Sequence, residues 1–292
     1  MTVTLPTSGS TATSAPRSLW ADETPDLDAY FARIGYSGPR EATLATLTEL
    51  HRRHVETICF ESIDVGLDIP IPTGIAGIQE KLVHRGRGGM CLEHNLLFAA
   101  VLEALGFTVH RHLARVRRGN TTDVRFRSHT MLTAEAEGRT YLVDVGFGDA
   151  GPLHPVPFEH EGRSTVGDWT WQVVREGEET WVFRTLNGDS WFDVYAFGLE
   201  TQAPSDFVAS FHYTATHPKS VFTGHIVAQR GDDKFRHVLR DRVLRTQHPD
   251  GSIDEAHLTA DQAVEELREG FRVTLSDEEA AAVRAFLGWI PE

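Results

Sequence analysis

The chain has 292 residues, 40% hydrophobic and 24% charged, the composition of a soluble globular protein with room for two or three lobes or for one large domain. No run approaches the roughly 20 apolar residues of a membrane helix, and a formal charge of -14 argues against non-specific nucleic-acid binding, which relies on a basic footprint. Two cysteines, Cys59 and Cys91, are too few for a disulfide framework, and as free thiols they fit a reducing cytoplasm.

Residues Met1 to Ser18 are rich in Ser, Thr and Pro, lack a basic cluster followed by an apolar stretch, and read as a disordered tail rather than a secretory signal. From Pro25 to His54 the apolar spacing predicts two helices separated by Gly35 to Pro39. A proline turn at Ile69 to Thr73 leads to a short helix around Ile75 to His84 and then to the Gly-rich Arg85 to Gly89. A further helix is expected from near Cys91 to Gly106, with Leu92, Leu96, Ala99 and Leu102 on one face. Strands follow at Thr108 to Val116, Phe126 to Ala134, Thr140 to Val145, Trp169 to Arg175, Thr180 to Thr185 and Trp191 to Phe197, forming a sheet or small barrel. Beyond Pro204 helix and strand mix. Ser205 to Thr214 reads as helix, Phe222 to Gln229 and Lys234 to Arg240 as extended. Ala260 to Glu269 and Ser276 to Leu287 read as amphipathic helices, the last with a Ser276/Glu279 capping box.

Cys91 stands where a Gly-rich turn enters a helix, so unpaired amides and the positive end of the helix dipole would favour its thiolate. A lone cysteine is more often an inert buried thiol, and the nucleophile reading needs a base. The segment Ser128 to Val145 reads as a hairpin; if Thr133 faces Thr140, His129 lies directly opposite Asp144, with Cβ atoms roughly 5 Å apart. A His held by Asp on one nitrogen can take the cysteine proton with the other, the logic of a Cys-His-Asp triad; the pair alone reads first as a structural hydrogen bond, and Cys91 beside it turns the reading to the triad. Between His110 and Arg127 lie six arginines against one acid, which suits either an approaching anionic ligand or a solvated strand pair. The chain has no HExxH and no paired CxxC, so its fifteen histidines suggest no metal site, and Gly86 to Gly89 lacks the Lys-Ser/Thr of a P-loop.

The run Arg87-Gly88-Gly89-Met90-Cys91-Leu92-Glu93-His94-Asn95 resembles the RGG-x-C-x-E-x-N signature of arylamine N-acetyltransferases. Asp144-Val145-Gly146-Phe147-Gly148 resembles their D-x-GFG element, and His129 falls where the family's catalytic His lies. Ile58-Cys59-Phe60-Glu61-Ser62 and Tyr213-Thr214-Ala215-Thr216-His217-Pro218 are similar to two further boxes, so the resemblance runs in order from about Tyr30 to Arg230. It implies an α+β fold of three parts: a helical bundle with the nucleophile, a β-barrel with His and Asp around a cysteine-peptidase-like core, and an α/β lid. On this chain these would be residues 19–106, 107–204 and 205–292, after the tail 1–18. The implied reaction uses Cys91, His129 and Asp144 to carry an acyl group from acetyl-CoA or a related thioester to an arylamine or hydrazine, with no resident cofactor. Phe60 and Phe147 would line the acceptor slot, and Glu61 would pair with Arg87 to brace the catalytic loop.

Ser62, Cys59, His94 and Leu96 depart from the family's usual residues without touching the triad; they bear on the acceptor slot. Two other readings use the same triad. One is an amide synthase that releases a polyketide from an acyl carrier protein, whose acidic surface the arginine segment would suit as well as it suits CoA phosphates. The other is a cysteine hydrolase in which water intercepts the acyl-enzyme.

Overall fold

The computed structural model describes residues 24–290; the expected N-terminal tail lies outside them. Helix α1 (Leu27–Ile34) begins where the Asp26 carboxylate accepts the Ala29 N–H, and it ends at Gly35 in the left-handed region, φ 65°. Helix α2 (Leu44–Thr57) is capped by Thr43. A two-residue strand β1 (Phe60–Glu61), the single turn α3 (Ile63–Gly66), and α4 (Ile75–Gln79), which continues as a π turn over Glu80–His84, lead to α5 (Cys91–Ala104).

Every residue of α5 from Cys91 to Leu102 is buried, not only the apolar face that spacing predicts. The helix is central, and its polar residues can be buried because each has partners. Glu93 accepts from Lys81 Nζ at 2.9 Å and from the Met90 N–H at 2.8 Å. His94 Nε2 can only donate to the Cys59 carbonyl oxygen, 3.1 Å away. Its Nδ1 therefore accepts from His54 Nε2 at 2.8 Å, and His54 Nδ1 accepts from the Tyr30 hydroxyl at 2.8 Å. Burial pushes the His94 pKa down to about 4 and that of His54 well below its ordinary value, so the chain stays neutral.

Eight antiparallel strands follow: β2 (Thr108–Val116), β3 (His129–Ala136), β4 (Arg139–Val143), β5 (Val156–Pro157), β6 (Gly162–Val166), β7 (Trp169–Glu176), β8 (Thr180–Asn187) and β9 (Ser190–Phe197). Their order, β5-β4-β3-β2-β9-β8-β7-β6, curls into a nearly closed barrel around Trp169, Trp171, Phe183, Val194 and Tyr195. Helix α6 (Pro204–Thr216) then leads into β10 (Val227–Gly231), β11 (Arg236–Arg240), β12 (Val243–Gln247) and β13 (Ile253–His257). The chain ends in α7 (Ala260–Glu269) and α8 (Asp277–Trp289), the latter capped by the Ser276/Glu279 box. Strand β1 joins this second sheet, pairing Phe60 with Gln229 and bridging Phe60 to Gly89, so three distant parts of the chain meet just before Cys91.

Three expectations change. The β3–β4 turn is tight, with Glu137 (φ 52°) and Gly138 (φ 75°) both left-handed, and Ala136 pairs with Arg139. The register is therefore displaced by two residues from one in which Thr133 faces Thr140; Thr133 faces Leu142, and His129 meets Asp144 diagonally rather than directly opposite. A displacement of two preserves the face, whereas one residue would have put the two side chains on opposite sides. The expected strand from Phe126 starts only at His129, because the Phe126 ring packs on Tyr213 instead (centroids 4.4 Å apart), and the expected strand from Phe222 starts at Val227 after a turn closed by His225 N–H to Phe222 O. Strands β6, β12 and β13 had no sequence signal; β13 is exposed along its whole length, so no apolar alternation marks it.

Candidate active site

Cys91 is the first residue of α5 and is 6% exposed, with its Sγ 3.8 Å from the Ser128 carbonyl oxygen. The Gly88-Gly89 turn before it threads between the Cys59 carbonyl and Glu93, where a Cβ at either glycine would collide. Gly146 lies equally close on the other side, where a Cβ would be 2.9 Å from the Cys91 Cα and 2.8 Å from Asn95 Nδ2. The loop after β4 can reach the helix terminus only through a glycine.

His129 opens β3 and is buried. Its Nε2 donates to Asp144 Oδ2 at 2.7 Å, which leaves Nδ1 as the ring nitrogen free to exchange a proton with the neighbouring Cys91 sulfur. Burial alone would depress the His129 pKa, but the Asp144 carboxylate and the Cys91 contact outweigh it and lift the value to about 10. The ring is held between Phe147, edge-on at 4.9 Å, and Tyr195, tilted at 4.9 Å. Asp144 is 1% exposed; burial would raise its pKa, yet His129 and three donated hydrogen bonds keep it lowered. Two of those donors, Asn95 Nδ2 at 2.9 Å and the Gly146 N–H at 3.0 Å, occupy Oδ1.

Asn95 is the hub that sequence reasoning left without a role. One helical turn after Cys91, it donates to the Thr130 carbonyl at 2.7 Å and to Asp144, and accepts the Val145 N–H at 3.2 Å, locking α5, β3 and the Asp144 loop together. The signal was present as the i, i+4 spacing of Cys91 and Asn95. His51 gave none: its Nδ1 donates to the Leu153 carbonyl, and its Nε2 accepts the Asp144 N–H at 3.4 Å, with burial holding its pKa down to about 4.

Arg87 Nη2 bonds Glu61 at 2.7 Å and Asp64 at 3.0 Å, and its Nη1 reaches Glu279 of α8 at 2.7 Å. Lys81 bridges Asp64 and Glu93. Cys59 lies buried beside this network, and burial, with Glu61 adding, pushes its thiol up to about 12.

Phe60 and Phe147 face a cleft of about 420 Å³ that contains Cys91 and His129 and is also walled by Phe126, Tyr213, Val221 and Phe222. Three cations line it (Arg118, Arg125 and Lys219) and, among the described residues, no acid does. The arginine-rich segment is mostly neutralised from afar: Arg111 pairs with Glu103, Arg117 with Glu176 and Asp193, Arg118 with Asp149, and Arg127 with Glu200. Arg125 and Lys219 have no carboxylate partner among the described residues. No group of three or more His, Cys, Asp or Glu is placed to hold a metal, and no helix is long and apolar enough to cross a membrane, again among the described residues.

An N-acetyltransferase family profile matches residues 43–280. The arylamine N-acetyltransferase of Escherichia coli K12 is 36% identical over 207 residues, 71% of this chain and 73% of that protein. That of Mycobacterium tuberculosis H37Rv is 34% identical over 262 residues, 86% and 90% of the two chains. Among solved structures, the arylamine N-acetyltransferase of Nocardia farcinica superposes with a TM-score of 0.83 at 39% identity, covering 90% of this chain and 95% of that one. The Mycobacterium marinum enzyme in complex with CoA superposes with a TM-score of 0.84 at 30% identity, covering 90% and 98%.

Proposed function

The chain belongs to the arylamine N-acetyltransferase family, and on that premise we propose that it moves the acetyl group of acetyl-CoA to an arylamine or hydrazine through an acyl-Cys91 intermediate. The observation that carries this reading is the His129 imidazole, fixed by Asp144 on Nε2 with Nδ1 left free, sharing with Cys91 the wall of a cleft that no described acid lines. Asp144, which outweighs burial and lifts His129 to about 10, stabilises the imidazolium that forms when the ring takes the Cys91 proton.

In the first half-reaction Cys91 Sγ attacks the thioester carbonyl, the carbon–sulfur bond to CoA breaks, and the departing CoA sulfur takes the His129 proton. In the second, the amine nitrogen attacks the acetyl-cysteine, His129 accepts a proton from that nitrogen, and the Cys91 thiolate leaves as the amide forms. Thioester exchange between two sulfurs is nearly balanced, whereas amide formation draws the sequence forward. Asp144 stays ionised throughout and keeps the imidazole in the productive tautomer. The walls of Phe60, Phe147 and Phe222 favour an aromatic amine over water as the second nucleophile. Arg125 and Lys219, without carboxylate partners among the described residues, suit the donor's phosphates.

The test is intact-protein mass spectrometry after brief exposure to acetyl-CoA. A gain of about 42 Da that maps to Cys91 and is discharged by an aniline supports the relay. Discharge at the same rate without amine would make the protein a hydrolase.

A further inference from the structure

The turn that delivers Cys91 to α5 has few side chains of its own to hold it. Gly88 and Gly89 must be bare, because a Cβ at either would collide with Cys59 and Glu61 or with Glu93, so the placement of the turn depends on what flanks it. Arg87 is the flanking residue on the upstream side and is 1% exposed. Its Nε and Nη2 donate to Glu61 at 3.1 and 2.7 Å, and Nη2 also reaches Asp64 at 3.0 Å. The third nitrogen, Nη1, donates to Glu279 Oε1 at 2.7 Å, on a helix 192 residues further along the chain.

Glu279 is itself fixed at its other end. Its Oε2 accepts the Ser276 N–H at 2.8 Å, and its own N–H donates to Ser276 Oγ at 3.2 Å, the box that starts α8. Burial would raise its carboxyl, but the Ser276 N–H and Arg87 keep it lowered, so it meets the guanidinium as a carboxylate. Neighbouring contacts run the same way. The Thr274 N–H donates to the Gly86 carbonyl at 3.1 Å, and Arg85 also reaches Glu279 Oε1. Gly86 is left-handed at φ 67°, and a Cβ there would lie 2.6 Å from the Thr274 hydroxyl. Behind this seam α7 and α8 share a core with Cys59 and Ile63, which bracket Phe60 and Glu61. The C-terminal helices thus grip both the catalytic loop and the strand it bridges to.

We propose that Glu279 is a positioning residue: through the Arg87 guanidinium it holds the Gly88-Gly89 turn where Cys91 meets His129, so that the α7–α8 unit governs the reactivity of the nucleophile. The acylation it speeds rests on the acyltransferase reading above, whereas the placement of the thiol can be read without any acyl donor. Misplacing a reacting group by about 1 Å costs on the order of 100-fold in rate. With Glu279 gone, Glu61 and Asp64 still hold two nitrogens of Arg87, so a part of that loss is expected, about tenfold.

The experiment measures acylation of Cys91 by acetyl-CoA and its alkylation by iodoacetamide at neutral pH, well below the melting temperature, in the wild type, Glu279→Ala, Glu279→Gln and Ser276→Ala. Glu279→Ala is expected to slow both reactions about tenfold, with half-saturating acetyl-CoA unchanged within about twofold. Glu279→Gln keeps an acceptor for Arg87 Nη1 and recovers most of the rate. Ser276→Ala removes the same helix cap but leaves the Arg87 contact, so it lowers the melting temperature and slows neither reaction more than about twofold. Rates within about twofold of the wild type in Glu279→Ala overturn the proposal. So does equal slowing in Ser276→Ala, which would make the start of α8 responsible rather than its bond to Arg87. Should Glu279→Ala not fold, Glu279→Asp, which keeps the charge at the helix start and draws it back from Arg87, is held to the same limits. A wild type that is alkylated at Cys91 but takes no acetyl group sinks the acyltransferase reading alone, and the alkylation rates still decide the role of Glu279.

Discussion

Asp144→Asn is the sharpest single perturbation, because it removes a charge while keeping the shape. In the wild type the carboxylate and the Cys91 contact together lift His129 from an ordinary 6.5 to about 10 against the depressing effect of burial. At 1.36 kcal/mol per unit that is on the order of 5 kcal/mol in favour of the imidazolium. Most of it comes from Asp144, the larger of the two opposing causes. Losing it costs the acylation step three to four orders of magnitude at roughly 1.4 kcal/mol per decade. The scaffold survives, since Asn95 and the Gly146 N–H can still bond the amide oxygen that takes the place of Oδ1. Two assays read the outcome: rapid-mixing acylation by acetyl-CoA, and iodoacetamide alkylation of Cys91 against pH. Acylation is expected to fall about 1,000-fold or more, and alkylation to slow across the pH range once the imidazolium that takes the Cys91 proton is no longer stabilised. Acylation within about tenfold of the wild type, with an unchanged alkylation profile, would refute the role given to Asp144.

Four further outcomes are expected. Cys91→Ala should abolish the acetyl adduct while leaving the melting temperature near that of the wild type; an adduct on Cys59, whose thiol burial pushes up to about 12, would overturn the nucleophile assignment. Asn95→Leu removes bonds to Thr130, Asp144 and Val145 and strands buried polar groups, for a loss of about 3 kcal/mol or more in urea unfolding; a loss below about 1 kcal/mol would mean that Asn95 locks nothing. Arg87→Met leaves Glu61 and Asp64 buried without their guanidinium, so about 3–5 kcal/mol should go, and Lys at this position should rescue little because it cannot reproduce the fork; full rescue by Lys would show that charge alone matters. His129 has a folded pKa above its unfolded value, so the stability from its protonation is fully present below about 6.5 and is lost as pH rises through about 10. The stability gap between wild type and His129→Gln should accordingly shrink between pH 7 and 10.5, and a gap that widens would contradict the assigned protonation.

The arrangement ties chemistry to folding through one helix. Cys91 begins α5 and Asn95 follows a turn later, while Glu93 and His94 anchor the same turn to Lys81 and to the Tyr30–His54 chain. The nucleophile is thus set by three successive polar and buried side-chain anchors, Glu93, His94 and Asn95, on a helix buried from Cys91 to Leu102. Such a network is costly to leave partly satisfied and correspondingly rigid when complete.

What the sequence alone determined was local. Helical spacing and capping signals located α1, α2, α5, α7 and α8, alternation located most barrel strands, and the Gly-rich turn before Cys91 marked a helix start with an exposed electrostatic end. Parity also sufficed to put His129 and Asp144 on one face, because alternation has a period of two. Tertiary structure alone decided the rest. The two-residue register offset came from the left-handed pair Glu137-Gly138, since a turn's backbone geometry, not the alternation of its strands, fixes pairing. The partners of Arg87, Arg111, Arg117 and Arg118 lie 8 to 192 residues away in the chain, so no local pattern could tell a braced arginine from one free for a ligand. The cleft that no described acid lines is likewise a property of surfaces from β2, α6 and β10 brought together, in a chain whose overall charge of -14 points the other way. Local propensity depends on a few neighbouring side chains and is legible in order; charge balance depends on what folding brings within a few ångströms, and only the folded chain contains that information.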